Sequence, residues 1–330
     1  MLSVSSVRPA TVSPLATFAL TGLRHCWLEQ NQTWSHKYHL DGRNPPNESV
    51  PPSDIYYSLN VLLGLSKVRQ VLAHEPYPPP VILLEHLDQA LPRHNVRNGA
   101  WGMALWAAAA LELNAPASAM SRMKQLAADP TGTASWTAQD IGLTLSGAVA
   151  YADSEPWLRP FADYLAGFIL ERLRVRSALF RDAAVGPRRQ FATFASQVYA
   201  ALSLYHYGEL TSNATAIGAA NDCVSKLITL QGPHGEWPWF YRPAAGRVVE
   251  PYEVYSVHQH GMGPALLQYA ARHQVPDAHG SIRIGFEWLF GRNQMQVSMF
   301  VPNLSLIYRS QARRGAGGSR FGRLLLSGTN

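Results

Sequence analysis

Apolar side chains along this chain return every three or four residues, in stretches that prolines and glycines repeatedly interrupt. That spacing puts them on one face of an α-helix, because about 3.6 residues complete a turn. It predicts helices over 15–29, 54–73, 79–90, 98–113, 117–128, 134–152, 156–173, 190–207, 213–230, 253–273 and 279–291. The breaks fall at Pro45-Pro46, Pro51-Pro52, Pro76 to Pro80, Pro92, Pro116, Pro130, Pro156, Pro187, Pro233, Pro251 and Pro276. A ring-locked φ and a missing N–H stop helix propagation there. Strand-like alternation is confined mainly to 295–307.

The predicted helices are of two kinds. WGMALWAAAALEL (101–113) and IGLTLSGAVAY (141–151) are apolar or small on nearly every side, so they need cover all round. The segments 157–174 and 214–230 carry one apolar stripe and one polar face, as an outer layer would. Alternation of the two kinds, joined by short loops, implies two concentric layers. With eleven or twelve helices the closed form is six hairpins, an all-α (α/α)6 toroid. An open solenoid is the rival architecture, but it would show a fixed sequence period, and none stands out. We expect one domain over 1–308 and a basic, flexible tail over 309–330.

Composition narrows the class. Hydrophobic residues are 47 % and charged residues 15 %, a balance that supports a large core and argues against disorder or coiled coil. No apolar run reaches the ~20 residues a membrane span requires. Met1 to Leu20 is broken by Pro9 and Pro14, so no signal peptide is read and a cytoplasmic location is expected. The two cysteines, Cys26 and Cys223, lie in apolar helical patterns and lack zinc spacing, which predicts buried thiols and no metal. The net charge of +6 is carried mostly by arginine. Arg309, Arg313, Arg314, Arg320 and Arg323 crowd the C-terminal end beside Gly315, Gly317 and Gly318. Such an end suits a solvated tail or a peripheral contact with an anionic membrane or lipid-linked substrate. No nucleic-acid module is recognisable, and no cofactor motif is present.

In a two-layer toroid the inner helices run side by side, so their N-termini gather at one mouth, where backbone N–H groups favour anions and hydroxyls. The residues opening these helices combine aromatics with polar groups. Asp54, Tyr56, Tyr57 and Asn60 open the first, with Tyr56 and Asn60 four apart on one face. Trp101 follows Asn98-Gly99; Trp136 and Asp140 are again four apart; Phe191, Phe194 and Gln197 start the next helix. Asp54 also reads as a helix cap. The densest stretch is 231–263. There Gln231-x-x-x-Gly235-x-Trp237 resembles the repeat of terpenoid-cyclase-like α/α toroids, in which Gln caps a helix end and Trp packs on it. Trp237, Trp239, Phe240 and Tyr241 could offer flat faces to sugar rings. Glu253, Tyr255, His258 and His260 follow; on a helix beginning near Tyr252, Tyr255 and His258 share a face. His and Tyr suit proton transfer at a sugar carbon, whereas Glu236, Glu253, Asp54 and Asp140 are the acids a hydrolysis would need.

The phrases WPWFYRPAAGRVVEPYEVYSVHQHGMGP, NGAWGMALWAAAA and IYRSQARR resemble a bacterial family encoded with surface-polysaccharide biosynthesis genes. The likeness runs from about Tyr56 to Arg314 and is sharpest from Tyr255 to Met262. Members are similar in fold to six-hairpin glycosidases and uronyl epimerases. The resemblance implies a saccharide ligand and an epimerase, lyase or hydrolase, and carries over no catalytic residue. Some relatives bear the label delta-aminolevulinic acid dehydratase; four lysines in helical settings and no βα alternation do not fit that barrel enzyme. Two alternatives stand beside the enzyme. One is a sugar-binding or assembly protein of the same pathway. The other is a terpenoid-cyclase-like toroid, although no Asp-x-Asp-Asp or Asp-Asp-x-x-Asp motif is present. The expected acid/base residues are thus Tyr255, His258, His260, Glu253, Asp54 and Asp140. The expected sugar contacts are Tyr56, Tyr57, Asn60, Trp101, Trp136, Gln197, Trp237 and Trp239.

Overall fold

The computed structural model describes residues 13–69 and 75–312. Eleven α-helices occur among them: α1 (Pro14–Cys26), α2 (Pro51–Leu65), α3 (Pro80–Ala90), α4 (Asn98–Ala110), α5 (Ala117–Ala128), α6 (Ala138–Tyr151), α7 (Leu158–Phe168), α8 (Phe194–Thr211), α9 (Ala214–Leu230), α10 (Gly263–Arg272) and α11 (Ala278–Leu289). Prolines occupy the first turn of α1, α2, α3 and α10, where no intrahelical N–H is lost. Side-chain oxygens of Ser13, Thr137, Thr193 and Asn213 cap α1, α6, α8 and α9.

The even-numbered helices α2, α4, α6, α8 and α10 form the inner layer. α4 packs on α6 and α6 on α8, while α3, α5, α7, α9 and α11 lie outside them. In α4 the run from Gly99 to Leu105 is wholly buried, as is the run from Ala138 to Ala148 apart from Gln139 in α6. Glycines allow this closeness. A Cβ on Gly147 would collide with the Gly102 backbone, one on Gly102 with Leu143 and Thr144, and one on Gly142 with Tyr199. The small-residue helices of the sequence are therefore small because backbone meets backbone. Among the described residues no helix is long and apolar enough to cross a membrane.

Short antiparallel strands staple the loops. β1 (Trp27–Leu28) pairs with β2 (Thr33–Trp34), and β3 (Lys37–Tyr38) with β4 (Asn47–Glu48). β5 (Ala192–Thr193), β6 (Phe240–Arg242) and β7 (Arg247–Glu250) form a three-stranded sheet. β9 (Phe300–Val301) pairs with β10 (Leu306–Ile307), and β11 (Ser310–Gln311) with β8 (Val254–Tyr255).

Two expectations change. The helix expected from 253 starts three residues later: β8 occupies Val254–Tyr255, helical backbone begins at Ser256, and a wide π-type turn over His258–Met262 leads into regular helix from Gly263. Pairing of Tyr255 with Ser310 draws the backbone extended up to that residue, and Pro264, which has no N–H to offer the preceding turn, lies directly after the π-type turn. Tyr255 and His258 therefore do not share a helical face. The second concerns the chain end. Ser310 and Gln311 are sheet-paired to β8, so residues 309–312 belong to the toroid; Arg313, Arg314, Arg320 and Arg323 lie outside the described residues. Both thiols are free. Cys223 is fully buried and Cys26, at the end of α1, half-buried; burial pushes the Cys26 thiol up to about 11.

Candidate functional site

The N-terminal ends of the inner helices do gather polar and aromatic groups, in layers. The best defined layer crosses the ring. Gln139 Nε2, at the second position of α6, donates to Tyr56 Oη of α2 at 2.7 Å, and Tyr56 is also hydrogen-bonded to Tyr199 of α8. Tyr56 and Tyr199 remain partly open to water, yet desolvation pushes both phenols up, that of Tyr56 well above its ordinary range. Water-accessible surface on a strongly desolvated group marks a recess inside the ring. Both phenols stay protonated and serve as donors.

Beside this layer the loop before α2 contributes His36, whose ring stacks on Tyr57 at 5.8 Å. His36 Nδ1 lies 3.3 Å from Asp54 Oδ1. Asp54 is buried and also accepts from the Val50 N–H at 2.7 Å and the Ser49 hydroxyl at 3.0 Å. Its carboxylate is thus committed to the helix start and to His36. Asp140 is similarly committed, accepting from Thr137 Oγ1 at 2.7 Å and Arg97 Nε at 3.0 Å. A third buried carboxylate, Asp182, meets the Ser196 hydroxyl and Arg188 Nε, the latter at 2.7 Å.

The two histidines of the π-type turn part company. His258 is buried against Phe194 at 4.8 Å and Tyr255 at 5.3 Å between ring centres. Its Nδ1 has no partner among the described residues. Burial drives its pKa down to about 3, opposed by a hydrogen bond with the Trp237 backbone. His260, two residues on, is exposed, although desolvation holds its pKa down to about 4.

The remaining expected residues divide. Tyr57 is exposed at the mouth, Trp136 half-buried beside the start of α6, and Asn60 half-buried, its amide donating to the Tyr56 carbonyl at 2.9 Å. Glu253 accepts from the Ser310 hydroxyl at 3.4 Å. Tyr255 and Trp239 are largely buried, their rings 6.0 Å apart edge to face, with the Arg309 guanidinium 5.6 Å from the Tyr255 ring. Three expected sugar contacts lie elsewhere. Trp237 is buried and stacked on Phe194 at 5.1 Å. Gln197 is fully buried, and its amide clasps the Phe180 N–H at 2.8 Å and carbonyl at 2.7 Å. Trp101, largely buried, lines a groove with Leu91, Ser118 and Arg122, on the α5 side of α4. The Gln231 amide donates to the carbonyls of Gly235 and Ser281 at 2.8 and 3.1 Å. Gln231 to Trp237 is thus a structural clasp between α9 and α11, its tight turn made by Gly235 at φ +89°.

Sequence reasoning missed Tyr199, His36 and a deeper layer. Ala195, Tyr199, Leu202 and His206 repeat at helical spacing along α8, which was the available signal. His206 Nδ1 lies 3.0 Å from Ser146 Oγ of α6. The His206 ring sits edge to face with Trp106 at 5.1 Å and Tyr269 at 5.0 Å. Burial holds its pKa down to about 4. Among the described residues no group of His, Cys, Asp and Glu forms a metal set.

No family model matches the chain, and no curated protein matches it. Solved structures do. A complex named UGL with dGlcA-Glc-Rha-Glc is 13 % identical, with a TM-score of 0.63 and coverage of 93 % of this chain and 90 % of that one. The unsaturated glucuronyl hydrolase of Bacillus sp. GL1 is 11 % identical, with a TM-score of 0.58 and coverage of 90 % and 92 %. A sugar epimerase from a ruminal bacterium is 8 % identical, with a TM-score of 0.56 and coverage of 83 % and 86 %. The fold is an (α/α)6 toroid. At these identities the likeness speaks to the toroid and not to its chemistry.

Proposed function

We propose that this toroid is a carbohydrate-active enzyme that moves a proton at a sugar carbon, as an epimerase or lyase does. Its substrate would enter where the inner helices begin. What supports this reading is a division of labour among the titratable groups. His260 is an accessible imidazole kept neutral by its surroundings, while Asp54, Asp140 and Asp182 are each held by caps or cations. A two-carboxylate hydrolysis needs one acid free to protonate and one to activate water or attack. A neutral imidazole together with protonated phenols would instead offer a base and donors for abstraction and return of a proton. In this reading His260 takes the proton, Tyr56 and Tyr199 hold hydroxyls of the sugar, and Tyr57 and Trp136 flank the ring. Glu253 and Tyr255 position the turn.

The sugar-bearing neighbours support the ligand class. The resemblance to proteins of surface-polysaccharide biosynthesis supports a polymer or its lipid-linked repeat as substrate, handled on the cytoplasmic side. Incubation with acidic and neutral oligosaccharides in D2O tests the reaction. Solvent deuterium at a sugar carbon, or a new unsaturated product, is the expected result, and both are lost in His260→Ala. Hydrolysis without deuterium uptake would overturn the proton-transfer reading. Tight sugar binding without any turnover would identify a binding protein instead.

A further inference from the structure

At the end of the ring opposite the mouth, a cavity of about 520 Å³ lies between the C-terminal ends of α2 and α10. It is lined by Lys67, Gln268, Tyr269, Ala271, Arg272 and His279. Lys67 follows the last residue of α2 by two, and Arg272 ends α10. Among the described residues no acidic side chain lines this cavity and no carboxylate pairs with Lys67.

We propose that this cavity binds a phosphoryl group, held between Lys67 Nζ and the Arg272 guanidinium, with Gln268 and His279 as further donors. Three observations carry it. Two permanent cations converge on one concave space, an arrangement that raises the local anion concentration. The Arg272 guanidinium lies 3.9 Å from the centre of the Tyr269 ring; stacking uses its face and leaves N–H edges for the forked contacts that suit phosphate. The opposing charge is limited. Glu209 Oε1 stands 3.5 Å from Arg272 Nη2 and is shared with His273 Nε2 at 2.9 Å. One carboxylate thus serves two basic groups and leaves Lys67 unneutralised. Tyr269 also adjoins the deeper layer, its ring edge to face with His206 at 5.0 Å and stacked on Tyr205 at 5.9 Å. The volume is within the range that accepts a small organic ligand, so a phosphate ester fits as readily as the free ion.

The test is saturable binding of inorganic phosphate, and separately of glucose 6-phosphate, to the full chain, by calorimetry at ionic strength matched with sodium chloride. Both probes should bind the wild type, and Lys67→Gln should weaken them at least tenfold. Tighter binding of the ester identifies an ester as the ligand; equal affinity identifies free phosphate. Arg272→Lys, which keeps the charge and loses the fork, should weaken binding less than Lys67→Gln combined with Arg272→Gln. Failure of both probes to saturate, or affinity unchanged in Lys67→Gln at an unchanged melting temperature, would overturn the proposal. Oligosaccharide turnover at the mouth should be unaltered in Lys67→Gln, which keeps the two sites separable.

Discussion

Two histidines separated by one residue have opposite surroundings here, and their substitutions should behave oppositely. His260 is exposed, so if it is the base proposed above, His260→Ala should lower kcat by roughly 10²- to 10⁴-fold, the usual worth of a positioned acid or base, with little change in melting temperature. His258 is enclosed by Phe194, Trp237 and Tyr255, so its loss should chiefly cost stability. Trp237→Ala should cost about 3–5 kcal/mol, as deletion of a buried indole does, read from urea unfolding. The pair was legible in the sequence as a candidate base. Which member is exposed was not, because an ideal helical period was assumed where the chain makes a π-type turn. The aromatic platform was misread for a related reason. Trp237 and Trp101 are flat and adjacent to polar residues, but the core needs flat side chains as much as a ligand does.

Elements were read more faithfully than side chains. Helix starts near 80, 98, 117 and 214 agree with expectation to within a residue, since prolines and caps there act locally. The start of α10 was not local: pairing between β8 and β11 joins residues more than fifty positions apart, and no window of sequence reports it. The small-residue character of α4 and α6 was visible, and its reason is the backbone contact at Gly102 and Gly147. Gly147→Ala forces that contact apart and should cost about 1–3 kcal/mol or more, as overpacking does. Gly167 in α7, with nothing near its missing Cβ, is the control: Gly167→Ala should be neutral or stabilising in the same unfolding experiment.

For the whole molecule, three imidazoles stand out because each titrates far below an ordinary histidine. His206 and His260 are lowered from 6.5 to about 4, and His258 to about 3. As pH falls below about 6.5 the unfolded chain takes up protons at these positions and the folded chain does not. Folding stability should therefore be complete above that pH and decline steadily toward pH 4. Urea midpoints measured from pH 7.5 to 4.5 check this, and His258→Phe should flatten the decline. The ring closure itself was inferred from the alternation of wholly buried and half-buried helices. That inference succeeded because burial on every side is a demand only an inner layer can meet.

The amide–phenol–phenol bridge from Gln139 through Tyr56 to Tyr199 also limits what can enter. Tyr56 and Tyr199 each lie five residues into their helices, so helical rise sets the bridge about 8 Å below the rim. Were a saccharide to enter here, a bar at that depth would admit the tip of a chain and turn back its length. A polymer that works here would present its terminal unit, and the product would depart through the doorway by which the substrate arrived.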